Sequence, residues 1–401
     1  MHEKFIARQP IFDNQLRVHA YELLFRGGPQ NFFQARTHAA ASVIADSITL
    51  FDLQTLTGHA RAFINVDELA LRLRAPHLLP ASRIVVEILE SVKATDEVVG
   101  ICRELRQDGY LLALDDFLGD DKLQPLVNLA SYLKVDFTLL DANGRKRVAQ
   151  QFSANGAALL AEKVETQRDL DEARNLGYTY FQGYFFCKPS MVETRDIPGN
   201  KRIQLQLISA VAAPELDYDA IESLLKQEPS LLYRLLRYLN SPALGLRSEV
   251  HSIGEALTLL GEREFRRWVS IFAVVAMSAG KPLELIRTAL TRAYFCEDLS
   301  APAGLHEKSS AMFLMGLLSV SDALLDKPIA EVLTSLPIDA EIKSALCGTE
   351  NRYRDLYEVL LALERAQWRK LTAITERLGC PEDSVPSSYQ SALQKASSIS
   401  T

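Results

Sequence analysis

Residues Arg83–Phe117 (RIVVEILESVKATDEVVGICRELRQDGYLLALDDF) read as one strand–helix–strand unit. Arg83–Leu89 and Leu111–Phe117 are short, β-rich apolar runs of strand length. Ala94–Gln107 between them is amphipathic with helical spacing. A strand, a crossover helix and a second strand in about thirty-five residues make a parallel pair with a right-handed connection. The same rhythm extends both ways. Strands are expected at Lys4–Phe12, Val18–Arg26, Ala62–Val66, Tyr132–Asp136, Ala157–Val164 and Tyr180–Phe186, and helices at Thr37–Phe51, Leu139–Phe152 and Thr166–Leu176. Only Asp13-Asn14-Gln15 separates the first two strands. So short a connection makes a hairpin, so one strand is antiparallel. Eight strands in under two hundred residues predict a compact (β/α)8, TIM-like barrel with that one irregularity. An open doubly wound sheet fits less well, because no glycine-rich phosphate turn follows the first strand.

Beyond Cys187-Lys188-Pro189 the pattern becomes all-α. Helices are expected over Lys201–Ala213, Asp219–Lys226, Ser230–Leu239, Ile253–Leu260, Glu262–Met277, Pro282–Leu299, Lys308–Leu325 and Tyr353–Leu378, with Pro229 and Gly261 as punctuation. The expected organisation is an α/β barrel domain over 1–196, a linker at 197–200, a helical bundle over 201–385, and a polar, frayed tail over 386–401.

The chain has 401 residues, 48% hydrophobic and 24% charged, with formal charge −7. Both halves carry the same balance: 22 Lys+Arg against 25 Asp+Glu through residue 195, and 22 against 26 beyond it. With no basic stripe, nucleic acid is not an expected partner and a transcription factor is disfavoured. The longest apolar run, near Val269–Met277, is about half a membrane span, and the opening Met1-His2-Glu3-Lys4 has no apolar leader. Five scattered cysteines without a CxxC pattern read as buried, reduced thiols. A cytoplasmic protein without membrane contact is the expectation.

Charged and amide side chains interrupt the apolar strands: Glu22, Asn65, Glu87, Asp115-Asp116, Lys134 and Glu162. In a barrel, the C-terminal strand ends converge on one face. Several carboxylates gathered there repel one another and lose solvation unless a cation compensates them. Hard divalent ions suit oxygen ligands, so Mg2+ or Mn2+ is expected. Paired ions roughly 3.5–4 Å apart, with the adjacent aspartates shared between them, serve phosphodiester hydrolysis. Isolated acidic residues such as Glu68 and Asp120-Asp121 are read as caps or solvated loop residues.

These segments resemble the EAL domain family. Glu22-Leu23-Leu24-Phe25-Arg26 is similar to its signature Glu-x-Leu-x-Arg, and Phe63-Ile64-Asn65-Val66 to its asparagine strand. Val86-Glu87-Ile88-Leu89-Glu90 resembles the double-glutamate strand, Leu114-Asp115-Asp116-Phe117 the Asp-Asp-Phe segment, and Leu133-Lys134-Val135-Asp136 the lysine strand. Ala161-Glu162-Lys163-Val164-Glu165-Thr166 and Phe181-Gln182-Gly183-Tyr184 resemble the last two motifs. The resemblance implies metal-dependent hydrolysis of cyclic di-GMP to linear pGpG. It makes Glu22, Asn65, Glu87 and Asp115 ligands of one ion, with Asp115 and Asp116 sharing a second. It makes Lys134, Glu162 and Gln182 catalytic, with Glu165 carried along in the Glu162 motif. Arg26 would grip substrate phosphate, and Glu90 would steady the loop after Asp116.

Three departures stand out, one of them Leu89 in place of a usual threonine. Leu118-Gly119-Asp120-Asp121-Lys122 lacks the family's Gly-Thr-Gly pattern, which contributes to the second metal site and the dimer interface. Lys163 replaces a glycine. A weak second metal site, low activity and a homodimer whose interface this loop alters are what these changes imply. A catalytically degenerate barrel acting as a cyclic di-GMP-binding or protein-binding scaffold is the alternative. The second half resembles the HDOD domain through Leu239-Asn240-Ser241-Pro242 and Val250–Gly261. It offers only His251 and His306, with no His-Asp pair, so a regulatory, protein-binding module is expected there.

Overall fold

The computed structural model describes residues 4–27, 53–152, 156–187, 199–213, 215–228, 253–334, 336 and 338–399. Eight strands form a closed barrel in sequence order: β1 (Lys4–Phe12), β2 (Val18–Gly27), β3 (Arg61–Val66), β4 (Ile84–Ile88), β5 (Leu111–Leu114), β6 (Tyr132–Asp136), β7 (Ala158–Glu162) and β8 (Tyr180–Gln182). β1 runs antiparallel to both neighbours, β2 and β8, while β2 through β8 are mutually parallel. The hairpin follows from local chemistry. Asp13 Oδ1 accepts the N–H groups of Gln15 and Arg17, each at 2.9 Å, and Leu16 takes a left-handed φ of 57° to close the turn.

Helices cover the barrel where the sequence supplies both a cap and an apolar face. In Asp96–Gln107, Thr95 accepts the Val98 N–H, two acidic residues occupy the positive first turn, and Val98, Ile101, Cys102 and Leu105 are buried. Burying each of the three aliphatic residues stabilises by roughly 1.5–3 kcal/mol. Gln167–Leu176 begins with a reciprocal Thr166–Asp169 capping box and stops at Gly177, whose φ is 92°. Glu68 and Asp120 serve local roles, pairing with Arg72 and capping a short turn.

Several expected boundaries shift. β5 ends at Leu114, so Asp115 and Asp116 lie beyond it, with Asp116 at φ 43°. β8 ends at Gln182 and passes into a 3-10 turn. Residues 37–51, 229–242 and 250–252 lie outside the described residues, as do the expected helices Thr37–Phe51 and Ser230–Leu239, Pro229, His251, and Ile197-Pro198 of the expected linker. Gly199 and Asn200, expected in that linker, begin the helix Gly199–Ala212.

Closeness in space groups Met1–Phe186 with Ala362–Thr372 in one compact unit, and Cys187–Leu361 with Ala373–Thr401 in a second. In the second, Leu283–Ser300 is buried on most sides, and Ser309–Leu318 packs tightly against it. A Cβ at Gly316 would lie 2.3 Å from the Arg292 carbonyl oxygen, so only glycine permits that approach. The expected helix Lys308–Leu325 is broken into Ser309–Leu318 and Ser321–Leu325. Tyr353–Leu378 is broken into Arg352–Glu364 and Trp368–Leu378. At the second break Ala366 has φ 52°, and the Gln367 N–H bonds the Ala362 carbonyl at 2.8 Å, closing the helix as a glycine would. The expected frayed tail is also corrected. Ser384–Ile399 is a helix whose Val385, Tyr389, Ala392, Leu393 and Ala396 form a buried stripe at helical spacing. Cys102, Cys296 and Cys380 are buried and Cys187 is half-buried, but Cys347 is exposed, against expectation. No helix among the described residues is long and apolar enough to cross a membrane.

Candidate active site

Inside the barrel, Ile11, Ala20, Phe63, Val85, Ala113, Tyr132 and Leu160 form a buried apolar layer. Side chains alternate along a strand, so the next inward position is two residues further on. In β2, β3, β4, β6 and β7 that position holds Glu22, Asn65, Glu87, Lys134 and Glu162; Asp115 continues the series beyond β5. β1 runs the other way, and its counterpart is Gln9, two residues before Ile11 and opposite Glu22. Gln182 follows Tyr180 in β8, where Tyr180 packs against the apolar layer. A polar layer therefore sits directly on an apolar one. Register joins Asn65 to Glu87 and Asp136 to Glu162.

Lys134 lies at the centre, its side chain 1% exposed. Its ammonium pairs with Glu87, and reaches Glu162 at 2.8 Å, Asp115 at 3.1 Å and Glu22 at 3.6 Å. Glu22 accepts hydrogen bonds from Gln182 Nε2 at 2.5 Å and Asn65 Nδ2 at 3.2 Å, and Gln182 Nε2 also donates to Gln9 at 3.1 Å. Burial pushes the Glu162 carboxyl up to about 8; Lys134 opposes that shift, while Asp115 and Glu22 add to it. Burial, then Glu22, holds Glu87 well above the ordinary carboxylate range. Burial alone would lower Lys134, but the carboxylates around it, Glu162 foremost, raise it well above its ordinary value and keep it charged.

The oxygen set fits hard cations. Asn65 Oδ1, Glu87 Oε2 and Gln182 Oε1 are buried acceptors without a hydrogen-bond partner. Bare acceptors of this kind typically cost about 1–3 kcal/mol each, and a cation would satisfy them. A second group lies at the outer end, where carboxylate oxygens of Glu90, Asp115 and Asp116 are all within 4.8 Å of one another. Burial, followed by the charge of Asp115, raises the Asp116 carboxyl, with Lys163 opposing. Among the described residues this is the grouping with metal-ligand spacing. It includes Glu90, which sequence reasoning gave only an anchoring role.

One other expected residue stands apart from the buried layer. Glu165 is exposed, and its N–H bonds Asp169 at 3.3 Å in the capping turn. The Arg26 backbone pairs with Phe5 in β2, but its side chain lies outside the described residues. In the altered loop, Phe117 is buried against Phe152, Gly119 takes φ 83° beside Val148, and Leu118 is exposed. Sequence reasoning missed Gln9 and gave no role to Asp136. The available signals were a carboxamide of the same parity as Ile11 and a carboxylate of the same parity as Lys134.

A family model described as the EAL domain matches residues 35–189, beginning after Glu22 and Arg26, and one described as the HDOD domain matches 197–324. The chain is 34% identical to the cyclic di-GMP phosphodiesterase CdgJ of Vibrio cholerae over 374 residues, 92% of this chain and 87% of that protein. It is 31% identical over 384 residues to the uncharacterized protein YuxH of Bacillus subtilis, covering 93% and 94%. Among solved structures, the Bacillus subtilis YkuI protein, with an EAL domain, in complex with cyclic di-GMP and calcium, aligns at TM-score 0.40. That alignment is 19% identical over 65% of this chain and 71% of that one. On the family models and the two full-length relatives, the chain belongs to the EAL domain family, with an HDOD domain following the barrel.

Proposed function

We propose that the barrel is a divalent-metal-dependent phosphodiesterase that hydrolyses cyclic di-GMP to linear pGpG, with Mg2+ or Mn2+ as the physiological ion. The observation that carries this reading is the polar layer itself: four carboxylates around one buried lysine, with three orphaned oxygens. No stability argument accounts for such a layer, since an apolar one of the same shape is usually at least as stable. The name of the Vibrio cholerae relative supplies the substrate.

In this reading Glu22, Asn65, Glu87 and Asp115 hold one ion, and Asp115 with Asp116 holds the other, Glu90 lying within reach. Bound divalent ions lower the pKa of water and stabilise charge on a phosphoryl group. Glu162 and Gln182 orient ligands and the attacking water. Lys134 neutralises phosphate charge as it develops, and Arg26 holds a substrate phosphate by its planar fork. The helical region from residue 201 serves as a regulatory, protein-binding module, and the protein acts in the cytoplasm, as a homodimer where the altered loop allows it.

Loss of the family's loop pattern at 118–122 favours a second reading, a barrel that binds cyclic di-GMP without turnover. Incubating the protein with cyclic di-GMP and Mn2+ or Mg2+, with chromatography of the nucleotides, separates the two. Linear product that chelation abolishes supports the enzyme; saturable binding without product supports the scaffold.

A further inference from the structure

Lys163 follows Glu162 directly and holds a left-handed φ of 52°, which residues with a side chain rarely adopt. The chain there is pinned on its far side. Val164 N–H donates to the Gln182 carbonyl at 3.0 Å, and Phe185 N–H donates to the Val164 carbonyl at 3.2 Å. Gly183 approaches so closely that a Cβ on it would lie 2.0 Å from the Val164 oxygen. The exit of β7 is thus held in a conformation suited to glycine, yet the residue present is a lysine. Its side chain has a defined place.

The Lys163 ammonium pairs with Asp136 Oδ2. Asp136 is fully buried, and its other oxygen accepts the Thr138 N–H and hydroxyl, both at 2.6 Å, and the Leu139 N–H at 3.3 Å. Asp136 is therefore saturated by donors of the chain itself, Lys163 among them. Asp116 and Glu162 also lie within the electrostatic field of the ammonium. Asp116 is one of the three carboxylates of the outer metal-spaced group. The Lys163 side chain is 58% exposed.

We propose that Lys163 is a resident monovalent cation at the outer end of the site, neutralising Asp136 and weakening the hold of Glu90, Asp115 and Asp116 on a second divalent ion. It acts through those carboxylates and is a positioning residue. The inference rests on the two-ion reading above. A fixed positive charge beside a ligand set repels a divalent ion, and removing it restores attraction. Changes next to a metal site commonly alter affinity by about 10–100-fold.

The test is Mn2+ binding followed by electron paramagnetic resonance, without substrate, in the full chain and in Lys163→Gly and Lys163→Arg. Glycine accepts φ 52° without strain, Asp136 keeps its bonds from Thr138 and Leu139 in the first variant, and arginine keeps the charge. The expected result is two unequal sites in the parent and in Lys163→Arg. In Lys163→Gly the weaker site should tighten by about tenfold or more, while the stronger barely moves. Two unequal sites unchanged in Lys163→Gly would overturn the proposal alone, leaving Lys163 as a structural partner of Asp136. No Mn2+ bound to any of the three would overturn it together with the two-ion reading.

Discussion

Lys134→Met should convert the centre of the barrel from a compensated charge cluster into an uncompensated one. The ammonium, wholly buried, faces Glu162 at 2.8 Å, Asp115 at 3.1 Å, Glu22 at 3.6 Å and Glu87 closer still. Removing one member of a buried ion pair typically costs about 3–5 kcal/mol, because the remaining charge is left in a poor solvent. Here several carboxylates lose the same partner, which places the effect in the upper part of that range. Protonation opposes it. Glu162 already titrates at about 8 and Glu87 well above its ordinary value, and losing Lys134 raises both further. A carboxyl whose folded pKa exceeds its unfolded value stabilises the fold below the unfolded pKa, and that stabilisation disappears as pH rises through the folded pKa. The deficit against the parent should therefore be smallest near pH 5 and grow to about pH 9. At roughly 2–4 °C per kcal/mol, the barrel's midpoint should fall by about 6–20 °C in EDTA near pH 8. Millimolar Mn2+ should narrow the gap, since an ion at 100 times its dissociation constant stabilises by about 2.7 kcal/mol. Calorimetry with and without chelator reads all three quantities. A barrel midpoint unchanged in EDTA at high pH would refute the electrostatic account of Lys134.

Glu22→Ala should reduce hydrolysis by about 100-fold or more while the thermal midpoint stays near that of the parent; parental turnover would remove Glu22 from the site. Gly183→Ala would bring a methyl group to 2.0 Å from the Val164 oxygen at φ 147°. It should destabilise by about 1–3 kcal/mol and weaken Mn2+ binding by displacing Gln182, as urea unfolding and a metal titration would show. His19 lies against Tyr180, bonds the Tyr132 hydroxyl at 3.0 Å, and is held below its ordinary pKa by burial and then Arg61. The unfolded chain takes up that proton first as acid is added. The stability that neutral His19 contributes is complete above about pH 6.5 and is lost as pH falls toward the folded value. His19→Phe should flatten the decline in urea midpoint between about pH 7 and 5; an identical decline would contradict the assignment.

The barrel and most of its polar layer were legible because both follow from one periodicity. A residue two positions beyond an inward apolar residue points inward too, and charges there stand out against Val, Ile and Leu. Gln9 escaped because it lies in the antiparallel strand, where the same face is reached by counting backwards and an amide does not stand out. Asp136 drew no role of its own, because it stands at the end of its strand, where an acidic residue does not stand out. Its saturation by Thr138, Leu139 and Lys163 depends on a left-handed residue 27 positions away, which no local pattern reveals. In the helical half, composition was right but segmentation was not. Ala366 takes a conformation usually marked by glycine, so two helices read as one. Six serines in Ser384–Ile399 suggested fraying, although Tyr389, Ala392, Leu393 and Ala396 between them bury a stripe.

The central claim is that the polar layer performs metal-dependent cleavage of a cyclic dinucleotide. Single-turnover chromatography of cyclic di-GMP with the full chain tests it most directly, in Mn2+, in Mg2+, in EDTA, and with Glu87→Gln in Mn2+. The account expects linear pGpG from the parent with either metal, rising with concentration into the millimolar range, and none in EDTA or from Glu87→Gln. Folded parent protein that yields no linear product at any metal concentration, or Glu87→Gln that cleaves at the parental rate, would contradict it.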